Sequence, residues 1–340
     1  MKKNIIVSMC LLIVLSLSFL LVGCTELDRQ KLLADTSTVW SENSNKIANE
    51  KVSLKNVNVA NLVTVQNLDI MVERTITKDK TNIKINTDNF ELKINEDVAS
   101  IIDTLLKALD LIGKVQVSDL ELAFSKINIV FDCEVTENNI KGHLTINNVK
   151  NMFSANNTSP IEYDFDKTFS DSEWFNGFTK VASSHLVDYF TPIDTDKVKE
   201  GKEYSFSYNN EFIVGILKLV MTSFSSTVIG GDISIGKLFE QTFGTSDVDK
   251  ITSENLALEQ GKGKLEFSSK NDIDYVNTID YNGKLKVMID KEEIKKMMTT
   301  LSTALANEQL LEIYNLIDMI AVYDDILVGD FVLSANYEIK

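Results

Sequence analysis

The fold is decided by a stretch in which apolar and polar residues alternate, VTVQNLDIMVERTITKDKTNIKINTDNFELKI, residues 63–94. Alternation with a period of two predicts strands whose side chains lie on opposite faces of a sheet. Two segments rich in Lys, Asp and Asn, residues 77–80 and 86–89, predict turns between those strands. One apolar face and one polar face are typical of an antiparallel sheet that is covered on one side only.

Working outward, the period changes to that of a helix at two places. Apolar spacing predicts a helix over 98–112, with Asn95 as its cap and Gly113 as its end. A second helix, 212–224, is apolar nearly all round, and it is either a buried central helix or one that lines an apolar cavity. We therefore predict an α+β fold of antiparallel, curved sheets with long apolar helices packed on one face.

The second half of the chain follows a similar order of elements. Residues 98–109 match 294–305 in apolar pattern, and residues 122–135 match 326–339 with their two-residue turns aligned. This indicates a duplicated strand–helix–hairpin unit. The alternative is that any α+β chain offers such matches when gaps are chosen freely.

The first 24 residues carry a secretion signal. Lys2 and Lys3 precede an apolar run over 5–22, which closes with Leu21-Val22-Gly23-Cys24. These four residues resemble the lipobox of bacterial lipoproteins. The resemblance implies cleavage before Cys24, a diacylglycerol on its thiol and acyl chains such as palmitate. The alternative is an uncleaved membrane-spanning helix, since the run approaches the roughly 20 residues that a bilayer requires.

The chain divides into five predicted regions by composition. They are a signal peptide at 1–23, a tether at 24–50, an N-terminal α+β unit at 51–155, a C-terminal α+β unit at 156–340, and within the latter a helical, aromatic-rich insertion at about 161–250.

Charge and composition exclude several classes of function. The formal charge is −16, or −18 once Lys2 and Lys3 leave with the signal, and the chain has only two arginines. Such a surface repels phosphate, so we expect no nucleic-acid partner. Cys133 is the only free thiol left after processing, and its place in a strand predicts that it is buried.

The sequence offers no constellation of catalytic or metal-ligating residues. His143 is expected on a solvated strand face and His185 is expected to be a partly buried structural residue. Aspartates recur in pairs at a spacing of two, without the glycine and glutamate of a calcium loop. We therefore predict no enzymatic activity, no catalytic residue, no cofactor and no metal.

The expected function is that of an exported, lipid-anchored envelope protein that binds or carries a lipid or another apolar ligand. In outline this is similar to the lipid-handling lipoproteins of bacterial envelopes, which include half-barrel carriers. The anchor is Cys24, on the outer membrane or cell surface. The alternative is an adhesin or envelope scaffold that binds a protein partner. The predicted apolar cavity is lined by Ile101, Ile102, Leu105, Leu109, Ile213, Ile216, Leu217 and Val220.

Overall fold

A computed structural model describes residues 26–59, 61–100, 118, 121–122, 125–148, 160–209, 214–215, 218, 228–230, 233–234, 256–287 and 327–340. In chain order its elements are β1 Leu27–Asp28, α1 Arg29–Glu42, β2 Lys46–Val59, β3 Val63–Ile76, β4 Thr81–Ile94, β5 Asn128–Val135, β6 Asn139–Asn147, β7 Ile161–Thr168, α2 Glu173–Ser183, a 3-10 turn Leu186–Asp188, β8 Phe190–Pro192, β9 Lys197–Val198, β10 Tyr204–Tyr208, β11 Val228–Gly230, β12 Ile233–Ser234, β13 Leu256–Leu258, β14 Gly261–Lys270, β15 Ile273–Val287 and β16 Leu327–Ile339.

Twelve of these strands form one sheet, in the order β7-β6-β5-β4-β3-β2-β16-β15-β14-β10-β8, with β13 pairing with β15. All the pairings are antiparallel. The last strand, β16, lies between β15 and β2. Strands β2 and β16, which are far apart in sequence, are therefore neighbours in the middle of the sheet.

Both helices pack on the same face of the sheet, which we call the inner face. Helix α1 contributes Leu32 and Trp40 to a core that includes inner-face residues of β2, β14, β15 and β16. Helix α2 contributes Phe175 and Phe178 to a second core over β4–β7. Buried helix positions recur at helical spacing and buried strand positions at a spacing of two, as expected for one-sided packing. Side chains of the opposite, outer face are largely polar.

The neighbouring strands β2, β3 and β4 contain β-bulges, at which the alternation of inner-face and outer-face residues shifts by one position. Asn56 in β2 and Asn89 in β4 have positive φ angles of 50° and 51°, and the β3–β4 register shifts on either side of Asn67. A bulge adds one residue to a strand and increases its local twist. Residues 63–76 are therefore one continuous strand, β3, and the turn predicted at 86–89 is a bulge.

The predicted α+β class with long apolar helices is wrong. In the described part of the chain the sheet dominates, and helices α1 and α2 have only 14 and 11 residues. The physical reason is that pairing continues through the bulges, so the strands of the sheet centre reach 13–15 residues. The helix predicted from residue 98 is described only as far as Ser100, with the Asn95 side chain accepting a hydrogen bond from the Asp97 amide.

The predicted duplication and tether also need correction. The turn expected at 329–330 is absent, because β16 runs through it as one strand whose pairing with β2 shifts there. The interval 24–50 is not a free tether, since it is folded from Leu27 and buries Trp40 of α1. Within the insertion predicted to be helical, helix α2 ends at Ser183, and strands β8 and β10 follow it. None of the described helices is long and apolar enough to cross a membrane.

Candidate apolar binding surface

The eight residues predicted to line an apolar cavity lie outside the described residues. They are Ile101, Ile102, Leu105, Leu109, Ile213, Ile216, Leu217 and Val220. The apolar surface that the structure does describe is on the sheet, and sequence reasoning assigned that role to the helices instead.

Apolar side chains form two rows across strands β4–β7 on the inner face. In the first row, Phe131 is paired with Ile85 on one side and with Leu144 on the other. In the second row, Ile146 is paired with Ile129 and with Ile161. Cross-strand neighbours on one face are about 5 Å apart, so each row is a continuous apolar surface. We call these six residues the apolar strip.

Exposure along this face increases with distance from helix α2. Cys133 and Ile140, which belong to the core beneath α2, are 3% and 0% exposed. Phe131 and Leu144 are half-buried. In the second row, Ile129 and Ile161 reach 37% and 41%. The strip is thus a transition from a packed core to apolar surface that water reaches, and none of its side chains is charged.

The same face continues onto the centre of the sheet. Val52 pairs with Ile70, and Leu54 with Leu68, and all four side chains are half-buried. The uncharged inner surface therefore extends from β2 to β7, across six strands.

The outer face of the same strands has the opposite chemistry. Lys84, Asp132, His143 and Asp164 are cross-strand neighbours from β4 to β7. The Nδ1 atom of His143 lies 2.7 Å from Oδ1 of Asp164, and Glu134 binds both Lys80 and Lys141. His143 is on a solvated strand face, as predicted. The outer face of β4–β7 is therefore mainly polar.

A buried polar cluster holds helix α2 against the sheet. Arg74 of β3 makes a two-point ion pair with Glu50 of β2. Its Nη1 atom also donates to the carbonyl oxygens of Ala182 and Ser184, at 2.8 and 2.9 Å. Tyr337 of β16 donates to Glu50 at 3.2 Å. Burial alone would lower the pKa of Arg74, but the charge of Glu50 raises it.

This cluster is structural and was missed by the sequence reasoning. Arg74 and Tyr337 are both 2% exposed, so the cluster offers no surface to a substrate. The signal that could have revealed it is an arginine at a position of β3 whose two-residue neighbours, Val72 and Ile76, are apolar.

His185 and Cys133 are buried and do not titrate near neutral pH. His185 Nε2 donates to the Val276 carbonyl at 2.9 Å, and its Nδ1 accepts from the Val187 amide. Burial, together with the charge of Arg74, lowers the pKa of His185 to about 3. Burial raises the pKa of the Cys133 thiol to about 12. Cys133 is buried, as predicted, whereas His185, predicted to be partly buried, is completely buried. Neither residue is poised for acid–base or nucleophilic chemistry.

One carboxylate of the outer face is buried beside the bulges. Asp69 accepts hydrogen bonds from Ser53 at 2.6 Å and Asn89 at 2.9 Å, and it pairs with Lys51 at 2.8 Å. Burial would raise the pKa of Asp69, but these three partners outweigh it and lower the pKa to about 2. The cluster stabilises the bulged backbone of Asn89.

Among the described residues, no group of three or more His, Cys, Asp or Glu side chains could hold a metal ion. The outer-face aspartates Asp164 and Asp166 are exposed, and Asp272 lies in the turn between β14 and β15 with a φ angle of 61°. Comparison of the chain with protein-family models, with curated proteins and with solved structures found no match.

Proposed function

We propose that this protein is a lipid-anchored envelope protein whose sheet holds an acyl chain, or a ligand of similar chemistry, against the apolar strip. The single observation that carries the proposal is the pair of uncharged rows across β4–β7. Ile129 and Ile161 are the two ends of the second row, and both are exposed.

The strip suits an acyl chain better than a polar ligand. It presents branched aliphatic side chains and one aromatic ring, and its side chains carry no hydrogen-bonding group. Each methylene that leaves water for such a surface contributes about 0.8 kcal/mol. An elongated hydrocarbon lying along a row would gain this contribution repeatedly and would lose no polar contact with water.

The anchor in this proposal is Cys24, for which the lipobox-like residues 21–24 are the support. Two or three acyl chains there are sufficient for stable attachment. The ligand would then be taken up or released by a body that stays beside the membrane.

The test is photo-crosslinking with a defined probe. The full chain, made in a bacterial host and reconstituted in phosphatidylcholine vesicles, is illuminated with a trace of a photoactivatable C18 fatty acid. Crosslinked peptides are mapped by mass spectrometry. We expect crosslinks in peptides covering β5–β7.

Two matched variants make the result specific. Ile129→Gln on the inner face should lower the crosslinking yield about fivefold, the change expected for roughly 1 kcal/mol of lost apolar contact. Met71→Gln is the control, since Met71 is 42% exposed but lies on the outer face beside Lys51. Equal yields from both variants, or no crosslink on β5–β7, would contradict a lipid-binding function.

The alternative function, a scaffold or adhesin that binds a protein, is favoured by the charged row of the outer face. Lys84 and Asp132 are oppositely charged neighbours on β4 and β5, and Asp164 of β7 lies two strands beyond Asp132 in the same row. Such a row of charges suits electrostatic recognition of a protein surface. Amine-reactive crosslinking in intact cells distinguishes the two functions. A protein partner captured through Lys84 or Lys141, without any fatty-acid crosslink, would support the scaffold.

A further inference from the structure

Leu27 lies in the first strand of the described residues, and its contacts fix the chain to one place on the surface of the folded body. Leu27 pairs with Val198, which is completely buried, in the small β1–β9 sheet. The backbone amide of Arg29 donates to the Asp196 carbonyl at 2.9 Å. The Nη1 atom of the Arg29 side chain donates to the Pro192 carbonyl at 3.1 Å. Residues 27–29 therefore lie beside residues 192–198.

An anchor at Cys24 would hold that place against the membrane. This step rests on the proposed lipid anchor. Only three residue steps separate Cys24 from Leu27, so their Cα atoms are at most about 10 Å apart even when the chain is fully extended. The headgroup layer on each side of a bilayer is itself roughly 5–8 Å thick. The body cannot move away from it.

Helix α1 shows which edge of the sheet would be nearest the membrane. Its first residue, Arg29, binds the edge strand β8, whereas the Thr36 hydroxyl accepts from the Val276 amide of β15 at 3.0 Å. Trp40 then packs edge-on against Tyr337 of β16 at 5.4 Å. The helix thus runs from the β8 edge towards the middle of the sheet. Strand β7, the other edge among the described strands, is ten strand spacings from β8, about 48 Å along the sheet.

The surface around Leu27 differs in charge from the body as a whole. It carries Arg29, Lys31, Lys197 and Lys199 together with Asp28, Asp194 and Asp196, so its charges nearly balance. It also carries the exposed side chain of Ile193. The exposed acids Glu162, Asp164 and Asp166 are at the distant β7 edge. Charges separated from the headgroups by more than the Debye length of about 8–10 Å are screened.

We propose that the surface formed by residues 27–31 and 192–199 faces the lipid headgroups, with Ile193 at the contact, and that the β7 edge points away from the membrane. The partner is the polar surface of the bilayer itself. In this orientation a nearly neutral, partly apolar surface meets the headgroups, and the acidic edge is kept at a distance.

The test compares two labelled positions in the lipidated full chain. Lys197→Cys and Glu162→Cys each place a thiol at an exposed strand residue, at opposite ends of the sheet. Cys133 does not compete for the label, because it is buried. Each variant is labelled with a thiol-reactive fluorophore and incorporated in vesicles containing a nitroxide-headgroup lipid. We expect quenching several-fold stronger at position 197 than at position 162.

Mass spectrometry of the N-terminal peptide distinguishes failure of the proposed orientation from failure of the proposed lipid anchor. A diacylated Cys24 with equal quenching at both positions, or with stronger quenching at 162, would overturn the orientation and leave the anchor standing. A Cys24 without lipid would refute the anchor of the proposed function and the orientation with it.

Discussion

The contact between helix α2 and the sheet depends on one buried side chain, that of Arg74. Its guanidinium binds Glu50 within the sheet and two carbonyl groups at the end of α2, so it joins a strand pair to a helix. A buried charge pair adds little net stability, but removal of one partner leaves an unpaired buried charge and costs several kcal/mol. We read Arg74 as a residue that selects one docking position for α2.

His185 makes the stability of the protein depend on pH. Its pKa is about 3 in the folded protein, against about 6.5 in an unfolded chain. Between these values the unfolded state holds one more proton, so the free energy of unfolding falls as pH falls, by up to about 1.4 kcal/mol per pH unit. Above pH 6.5 the contribution is fully present. We expect urea midpoints measured from pH 7.5 to pH 4.5 to decrease accordingly.

The chain contains only one other histidine, which supplies the control. His185→Gln should remove this slope, whereas His143→Gln should keep it because the His143 side chain reaches solvent on the outer face. A slope that survives in His185→Gln would assign the acid sensitivity to carboxylates. Asp69, whose pKa is about 2, stabilises the folded protein above about pH 4, and this contribution is lost only as the pH falls from about 4 towards 2 and the carboxylate is protonated.

At the scale of elements, two glycines should respond in opposite directions to the same substitution. A Cβ at Gly329 of β16 would lie 2.5 Å from the Val57 Cα atom, and backbone at that distance must move. Gly329→Ala should therefore destabilise the protein by about 1–3 kcal/mol. A Cβ at Gly177 of α2 would meet nothing within 4 Å. Gly177→Ala should stabilise the protein by about 0.5–1 kcal/mol, since alanine favours a helix. Thermal unfolding of both variants checks the signs, and a neutral Gly329→Ala would mean that β2 and β16 do not pack this closely.

The sequence predicted which segments form strands more accurately than it predicted how long those strands are, and the bulges explain the difference. Alternation at Ile83 and Ile85 or at Cys133 and Val135 is uninterrupted, and these segments are strands. At Asn89 the extra residue shifts the alternation by one, which is indistinguishable in sequence from a turn. In α1 the buried Thr36 interrupts the apolar stripe, because its hydroxyl is used in a hydrogen bond to β15. A pattern of apolar residues cannot reveal a helix packed partly through a hydroxyl group.

At the scale of the whole molecule, the candidate site follows from topology that no local pattern contains. The pairing of β2 with β16 joins residues such as Ala48 and Tyr337, nearly 290 positions apart. This pairing makes one sheet of the two predicted units. It also places the apolar strip of β4–β7 and the β8 edge on the two halves of that sheet. Under the proposed function, binding of an acyl chain and attachment to the membrane would use separate regions of this sheet.

A single sheet predicts a single unfolding transition, and the chain's two tryptophans can test it. Trp40 is in the core beneath α1, where its indole donates to the Ser183 carbonyl at 3.0 Å. Trp174 packs against Phe169 and Phe175 in the core beneath α2. Because β2 and β3 join the two cores and Arg74 ties α2 to both strands, we expect each tryptophan to report the unfolding of the whole protein. The measurement uses Trp174→Phe, which leaves Trp40 as the reporter, and Trp40→Phe, which leaves Trp174.

Each fluorescence curve is compared with far-ultraviolet circular dichroism of the same variant. Fluorescence and circular dichroism should coincide within each variant, even though loss of the Trp40 hydrogen bond lowers the midpoint of the second. Fluorescence that changes at a different urea concentration from the circular dichroism in either variant would show two independently folding domains, as the sequence alone had suggested.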